Sequence, residues 1–224
     1  MVRLCGDVDV LKYEPGLFGG LHPANQVLAT GQNGEVSGTT FTAAGADFEA
    51  AGVEPGSVIY LRTADPGASG LDGAYEVVAV DSAEQLCVSV LRGDLEEDPI
   101  APPAGVQATG IFYRISTLRP QIEEVSLRLT EYFGIQPGDA DSEYSAEEIE
   151  DSEEIRQVCS TGVIAAAYAM LATNSSDEGF RDKQEHYEQL FNKGRERCRL
   201  ALDTNGDGIA DSVRFGGCGR LIRE

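Results

Sequence analysis

The sequence predicts an α+β protein: a small N-terminal β-barrel or bent-sheet module, then a bundle of about three helices with a C-terminal extended arm. Three observations carry this expectation. Up to about Gly110 the chain is rich in Gly and β-branched residues, with short strand-like runs between turns. From about Ile111 onward, apolar residues recur at spacings of three and four, the period of amphipathic helices. Between these textures, residues 93–109 combine acids with three prolines and read as a linker or a long exposed loop. The expected domains are a β-rich module over 1–115 and a helical domain over 116–224, with its arm over 212–224.

In the first half, strands are expected over 26–30, 58–62, 74–80 and 85–91, and 111–115 reads as one more strand returning to the sheet. Asp81-Ser-Ala-Glu84 suits a hairpin turn, and Glu54-Pro-Gly-Ser57 another, with Pro and Gly supplying the fixed and left-handed dihedrals. A short helix is expected over 46–51, ended by Gly52. In the second half, Ile122, Val125, Leu129 and Tyr132 form a stripe over 120–133, with Pro120 in the first turn and Gly134 as the stop. Residues 139–154 hold nine acids and no base, a solvated connection or a charged helix entry in which Ser145-Ala-Glu-Glu148 and Ser152 are suited to cap helices. A helix over 155–171 places Ile155, Val158, Cys159, Gly162, Val163, Ala166 and Met170 on one face, and its small residues allow close approach of neighbours. A third helix over 177–201 carries Phe180, Tyr187, Leu190, Phe191, Gly194 and Cys198 as its stripe.

Charge and cysteine usage narrow the function. With 38 acids against 17 bases, the 224-residue chain has a net charge of −21. This argues against gripping nucleic-acid phosphates or anionic membranes, both of which call for a basic surface. Five Cys without CxxC spacing read as reduced thiols of a cytosol-made protein. The N-terminal residues show no apolar signal-peptide core. The longest apolar stretch, 158–173, is too short for a bilayer and reads as a buried helix.

Enzymatic constellations are nearly lacking, and the expectation is a protein without catalytic residues. No HExxH, GxSxG, GxxxxGK[ST] or GxGxxG motif occurs. Of the two His residues, His22 sits in a Leu-His-Pro turn, and His186 follows Asp182 by one helical turn as an ordinary surface contact. One motif is sharper. Asp203, Asn205 and Asp207, with Gly208, Ile209 and Asp211, fit the first part of a calcium loop, oxygens at positions 1, 3 and 5 converging on a hard cation. The Ile209 carbonyl and Asp211 would add ligands, whereas Arg214 stands where an EF-hand needs its closing Glu. The same residues also make a plain Asx turn, and both readings stay open.

The order of parts carries a family resemblance. Residues 46–61 and 73–82 resemble a small β module common in tailed-phage structural proteins. Arg119-Pro-Gln-Ile-Glu-Glu-Val-Ser-Leu-Arg-Leu-Thr-Glu-Tyr-Phe133 looks like the first helix of bacteriophage head–tail connector (adaptor) proteins. Residues 195–214, a long helix running into an Asp-rich loop and a terminal strand-like arm, look like the tail of such proteins. The resemblance implies a structural virion protein of the neck, made in the host bacterial cytoplasm. It implies self-association into a ring, usually dodecameric, that binds the portal on one side and a tail-side protein on the other while DNA passes through its channel. The portal-binding arm would use Phe215, Arg220, Leu221, Ile222 and Arg223; the other reading of this arm is a closing strand over the helices. From a different class, a calcium-dependent binding or adhesion module without catalytic activity is the alternative.

Overall fold

The computed structural model describes residues 2–63, 70–94, 96–103, 108–136, 142–150, 152–174 and 177–215. The chain forms two compact units, Val10–Leu118 on one hand and Met1–Asp9 with Arg119–Glu224 on the other. A short helix, α1 (Asp7–Leu11), spans the first boundary.

The first unit is a closed barrel of six antiparallel strands: β1 (Val27–Ser37), β2 (Thr40–Ala43), β3 (Val58–Arg62), β4 (Asp72–Ser82), β5 (Gln85–Ser89) and β6 (Ala108–Ser116). Their order is β1-β2-β5-β4-β3-β6, and β6 pairs back onto β1. Side chains alternate as strand geometry demands. Ile59 and Leu61 of β3, Leu86 and Val88 of β5, and Ile111, Tyr113 and Ile115 of β6 all point inward and are buried. Tyr113 stacks edge-on against Phe41 at 5.2 Å and Phe48 at 6.0 Å, arrangements favoured by the ring quadrupoles.

Two expectations are corrected here. The first strand continues beyond Thr30 to Ser37, through Gly31 and Gly34, with register shifts around both glycines. Glycine there is required by close packing, not by turning: a Cβ on Gly34 would lie 2.7 Å from the Phe41 ring and 3.0 Å from the Ile111 carbonyl. Residues 46–51 form a turn and not a helix. Asp47 accepts from the Ala50 N–H, and Val53 N–H already reaches back to the Phe48 carbonyl after Gly52 at φ 75°. Phe48 is thereby delivered into the barrel core.

The described residues 93, 94 and 96–103 of the acidic, proline-bearing stretch form a loop within the barrel unit, and β6 begins at its end with Ala108. Val90 N–H donates to the Ile100 carbonyl (2.8 Å) and Ile100 N–H to Ser89 Oγ (2.8 Å). Arg92 anchors it: its guanidinium makes a buried two-point contact to Glu76 (2.6 and 3.2 Å) and donates to the Glu97 carbonyl. Removing either partner would strand a buried charge.

In the second unit, α2 (Arg119–Tyr132) ends in a Schellman motif: Ile135 N–H bonds the Thr130 carbonyl, Gly134 N–H bonds that of Glu131, and Gly134 sits at φ 78°. Ser145 and Glu148 close a capping box, and Ser152 Oγ accepts from Ile155 N–H at the start of α3 (Glu153–Asn174). The small residues of α3 do what their size suggests. A Cβ on Gly162 would stand 2.8 Å from both Phe191 and Val125, so α2 and the next helix, α4 (Glu178–Arg197), press directly onto it. By length and composition alone α3 could cross a bilayer, and 67% of that stretch is buried inside the protein. The buried face of α3 differs from the expected stripe: Ala166 and Met170 are only partly buried, while Ile164, Ala167 and Tyr168 are buried in their place.

The third helix is shorter than expected. It ends at Arg197, and Cys198 turns extended, because Leu200 and Leu202 alternate with Arg199 and Ala201 at a strand's period. Leu190, placed on the buried stripe by spacing, is 41% exposed. The N-terminal segment completes this unit, with Leu4 and Cys5 buried and Leu4 N–H donating to Ser126 Oγ (3.0 Å).

The Gly34 contact gives a test of the barrel. Gly34→Ala should destabilise the protein by about 1–3 kcal/mol, the usual cost of overpacking a closed core, read as a lower urea midpoint with an unchanged slope.

Candidate functional site

Of the residues singled out for function, the described ones, Asp203, Asn205, Asp207, Ile209, Asp211 and Phe215, share one feature, a hairpin at the end of the described chain. Strand β7 (Arg199–Leu202) pairs antiparallel with β8 (Ser212–Phe215), and the Asp-rich loop joins them. The hairpin is tied to its own unit from β7. Leu202 bridges to Ile149, Glu150 N–H donates to the Ala201 carbonyl, and Asp203 N–H to that of Glu148.

Its two faces differ sharply. On the inner face Leu200 and Leu202 are buried opposite Arg214 and Ser212. Arg214 pairs with Glu143 at 2.6 Å and lies 4.4 Å over the Tyr144 ring. On the outer face Arg199 stands opposite Phe215 and Ala201 opposite Val213. Val213 is 49% and Phe215 55% exposed, with Arg199 stacked 5.5 Å over the Phe215 ring. Ile209, at the loop tip, is 69% exposed. An outer face of a solvated hairpin ordinarily carries polar residues, so this apolar run is chemically suited to contact.

The loop is organised around Asp203. Its Oδ2 accepts from Gly208 N–H (2.7 Å), while Oδ1 accepts from the N–H groups of Gly206 (2.7 Å), Asn205 and Asp207. The Asp211 carboxylate accepts from Thr204 N–H and Oγ1 and from Asn205 Nδ2 (3.1 Å). Asn205 Oδ1 accepts from Asp207 N–H, and Asp207 Oδ1 from Ile209 N–H. The web is that of nested Asx turns. The five predicted residues Asp203, Asn205, Asp207, Ile209 and Asp211 thus share one loop, although Asn205 turns an amide hydrogen, and not an oxygen, toward Asp211. Among the described residues no cluster of three or more His, Cys, Asp or Glu side chains is arranged to hold a metal. Asp203, Asn205, Asp207 and Asp211 are the residues that would hold calcium, and to do so Asp211 would have to release Asn205. Phe215 closes β8, while Arg220, Leu221, Ile222 and Arg223 lie outside the described residues.

Sequence reasoning missed two features. Val213 and Arg199 complete the outer face, and the signal for them was the strand period of 199–202 facing the alternation of 212–215. On the barrel unit, the pairs Tyr60–Arg114 and Arg62–Phe112 stand opposite each other on β3 and β6. The Arg114 guanidinium lies 5.1 Å over Tyr60 and 5.8 Å over Phe112, with Arg62 over the same Phe112 ring at 5.5 Å. Burial raises the Tyr60 phenol, helped by its bond to Asp72. His22, whose Nδ1 lies 3.1 Å from the Gly19 carbonyl, is held below its ordinary value by burial and by Arg114. His186 is exposed on α4.

No protein-family model, no curated protein and no solved structure matches this chain.

Bonds from the Gly208, Gly206, Asp207 and Asn205 amides, Gly208 first, hold the Asp203 carboxyl below its usual value. Its folded pKa is depressed, so the order it lends the loop is present above the unfolded value and lost as pH falls through the folded one. The Gly206 and Gly208 amide resonances should therefore titrate together with a midpoint below about 3.9, the ordinary Asp value. In Asp203→Asn that titration should vanish.

Proposed function

We propose that this protein is a structural, non-enzymatic subunit of a tailed-phage neck, a ring-forming adaptor between the portal and a tail-side protein. The single observation that supports it most is the apolar outer face of the β7–β8 hairpin, with Val213, Phe215 and Ile209 exposed at the end of the described chain. A face of this composition buried against a portal subunit would contribute about 1.5–3 kcal/mol per large side chain. Around a ring, that gain multiplies through avidity. The residues beyond it, Arg220, Leu221, Ile222 and Arg223, extend the same chemistry with positive charge, suited to acidic grooves. The net charge of −21 suits a channel through which DNA must slide without sticking, since like charges repel over about 10 Å at moderate salt.

Mixed with portal rings of the same phage, the protein should give larger ring complexes in negative-stain images and by mass photometry. The double variant Val213→Ser/Phe215→Ser should melt like the parent yet bind portal at least about tenfold more weakly. A truncation lacking 216–224 should also fail to dock. Normal docking by both variants would move the contact elsewhere, and a parent protein that ignores portal rings would end the neck assignment.

The second reading, a calcium-dependent binding module, draws on the D-x-N-x-D-G spacing and on the way Asp203 and Asp211 converge within one loop. Calcium bound only by the folded form would raise Tm by mass action. Under this reading millimolar calcium raises the Tm of the parent but not of Asp207→Ala; equal melting with and without calcium leaves the loop a turn.

A further inference from the structure

We propose that Cys5 and Cys159 form a reversible redox lock, a disulfide that ties the N-terminal segment to α3 when the protein meets an oxidising thiol–disulfide environment. The proposal is independent of the neck assignment.

The two sulfurs lie 2.8 Å apart, closer than two unbonded sulfurs rest and somewhat beyond the bond length of about 2.05 Å. Both residues are buried, Cys5 at 6% and Cys159 at 0% exposure, and both are free thiols. Their surroundings hold them in place. Leu4 N–H donates to Ser126 Oγ on α2, and that same hydroxyl lies 3.7 Å from Cys159 Sγ. On the other side of Cys5, Gly6 N–H bonds Asp9 Oδ2 and Asp9 N–H returns to the Gly6 carbonyl, so the turn into α1 fixes the segment beyond Cys5. Other cysteines are placed differently: Cys198 Sγ sits beside the Arg199 carbonyl, and Cys87 belongs to β5 of the barrel unit. The Cys5 thiol is pushed upward by its contact with Cys159 and by burial.

The step balances with a low-molecular-weight disulfide such as oxidised glutathione as the oxidant. Cys5 loses its proton, and its thiolate attacks one glutathione sulfur, releasing the first glutathione thiolate. Cys159 then loses its proton and attacks Cys5 Sγ in the mixed disulfide, releasing the second. Two electrons and two protons pass from the cysteine pair to the reagent, which leaves as two thiols. Because the sulfurs are buried, exchange waits for the segment to open, and locking runs over minutes to hours. The bond would close a loop that spans the entire Val10–Leu118 unit, and long closed loops restrict the unfolded chain most.

The test uses the full chain incubated with oxidised glutathione, digested with trypsin without reduction and mapped by mass spectrometry. Peptides 4–12 and 157–181 should appear joined, and should separate after reduction. The oxidised protein should melt roughly 10 °C higher than the reduced one, and reductant should reverse the rise. Cys5→Ser should melt alike in both conditions. Unlinked peptides, a glutathione adduct left on Cys5 or Cys159, linkage without a rise in Tm, or a rise that persists in Cys5→Ser would each overturn the lock. The peptide map needs no variant, so it decides the question even if Cys5→Ser fails to fold.

Discussion

The barrel can close because β1 carries no side chain where the Tyr113 and Phe41 rings lie. At Gly31 a Cβ would meet the Tyr113 ring, and at Gly34 the Phe41 ring and the Ile111 carbonyl. With those two positions empty, β6 reaches β1 on one side and β3 on the other, and the barrel closes. The aromatic trio of Phe41, Phe48 and Tyr113 then fills the interior, Tyr113 edge-on to both phenylalanines and the two phenylalanines tilted to each other. Much else in this unit follows. The turn over 46–52 exists to bring Phe48 in, and the register shifts of β1 are the local cost of fitting rings beside a strand. The buried Arg92–Glu76 pair ties the long loop after β5 to β4 of the closed barrel.

The helical unit uses the same device in another geometry. Gly162 on α3 and Gly194 on α4 leave room for Val125, Phe191 and Val158, so helices meet at backbone distance where larger residues would hold them apart. The N-terminal residues belong to this unit although they precede the barrel in the chain. That arrangement brings Cys5 to α3 across a separation of 154 residues, a meeting that only a chain passing twice through one unit can make.

The hairpin at the end of the described chain is built from two unlike faces. Leu200 and Leu202 anchor it to its unit, while the Asp203 carboxylate gathers four loop amides and keeps the connection tight. A hairpin so anchored can display Val213 and Phe215 outward without fraying. The arrangement separates the residues that hold the structure from those available for contact, which is the property the neck reading draws on.

Periodicity, turn chemistry and capping were legible in the sequence, and they determined the α+β class, the two textures of the chain, the Gly134 stop, the Ser145 capping box and the hairpin between β4 and β5. These are local matters, decided within a few residues by backbone dihedrals and alternating burial. The Asp-rich loop was equally legible, because its oxygens serve amides at most seven residues away. Tertiary structure alone decided the rest. The extension of β1 through two glycines follows from where distant rings lie, and the early end of α4 from the burial of Leu200 and Leu202. The turn over 46–52 follows from the pull of the core on Phe48. The meeting of Cys5 with Cys159 depends on chain path. Such contacts join residues far apart in sequence, and no local pattern encodes which of them will touch.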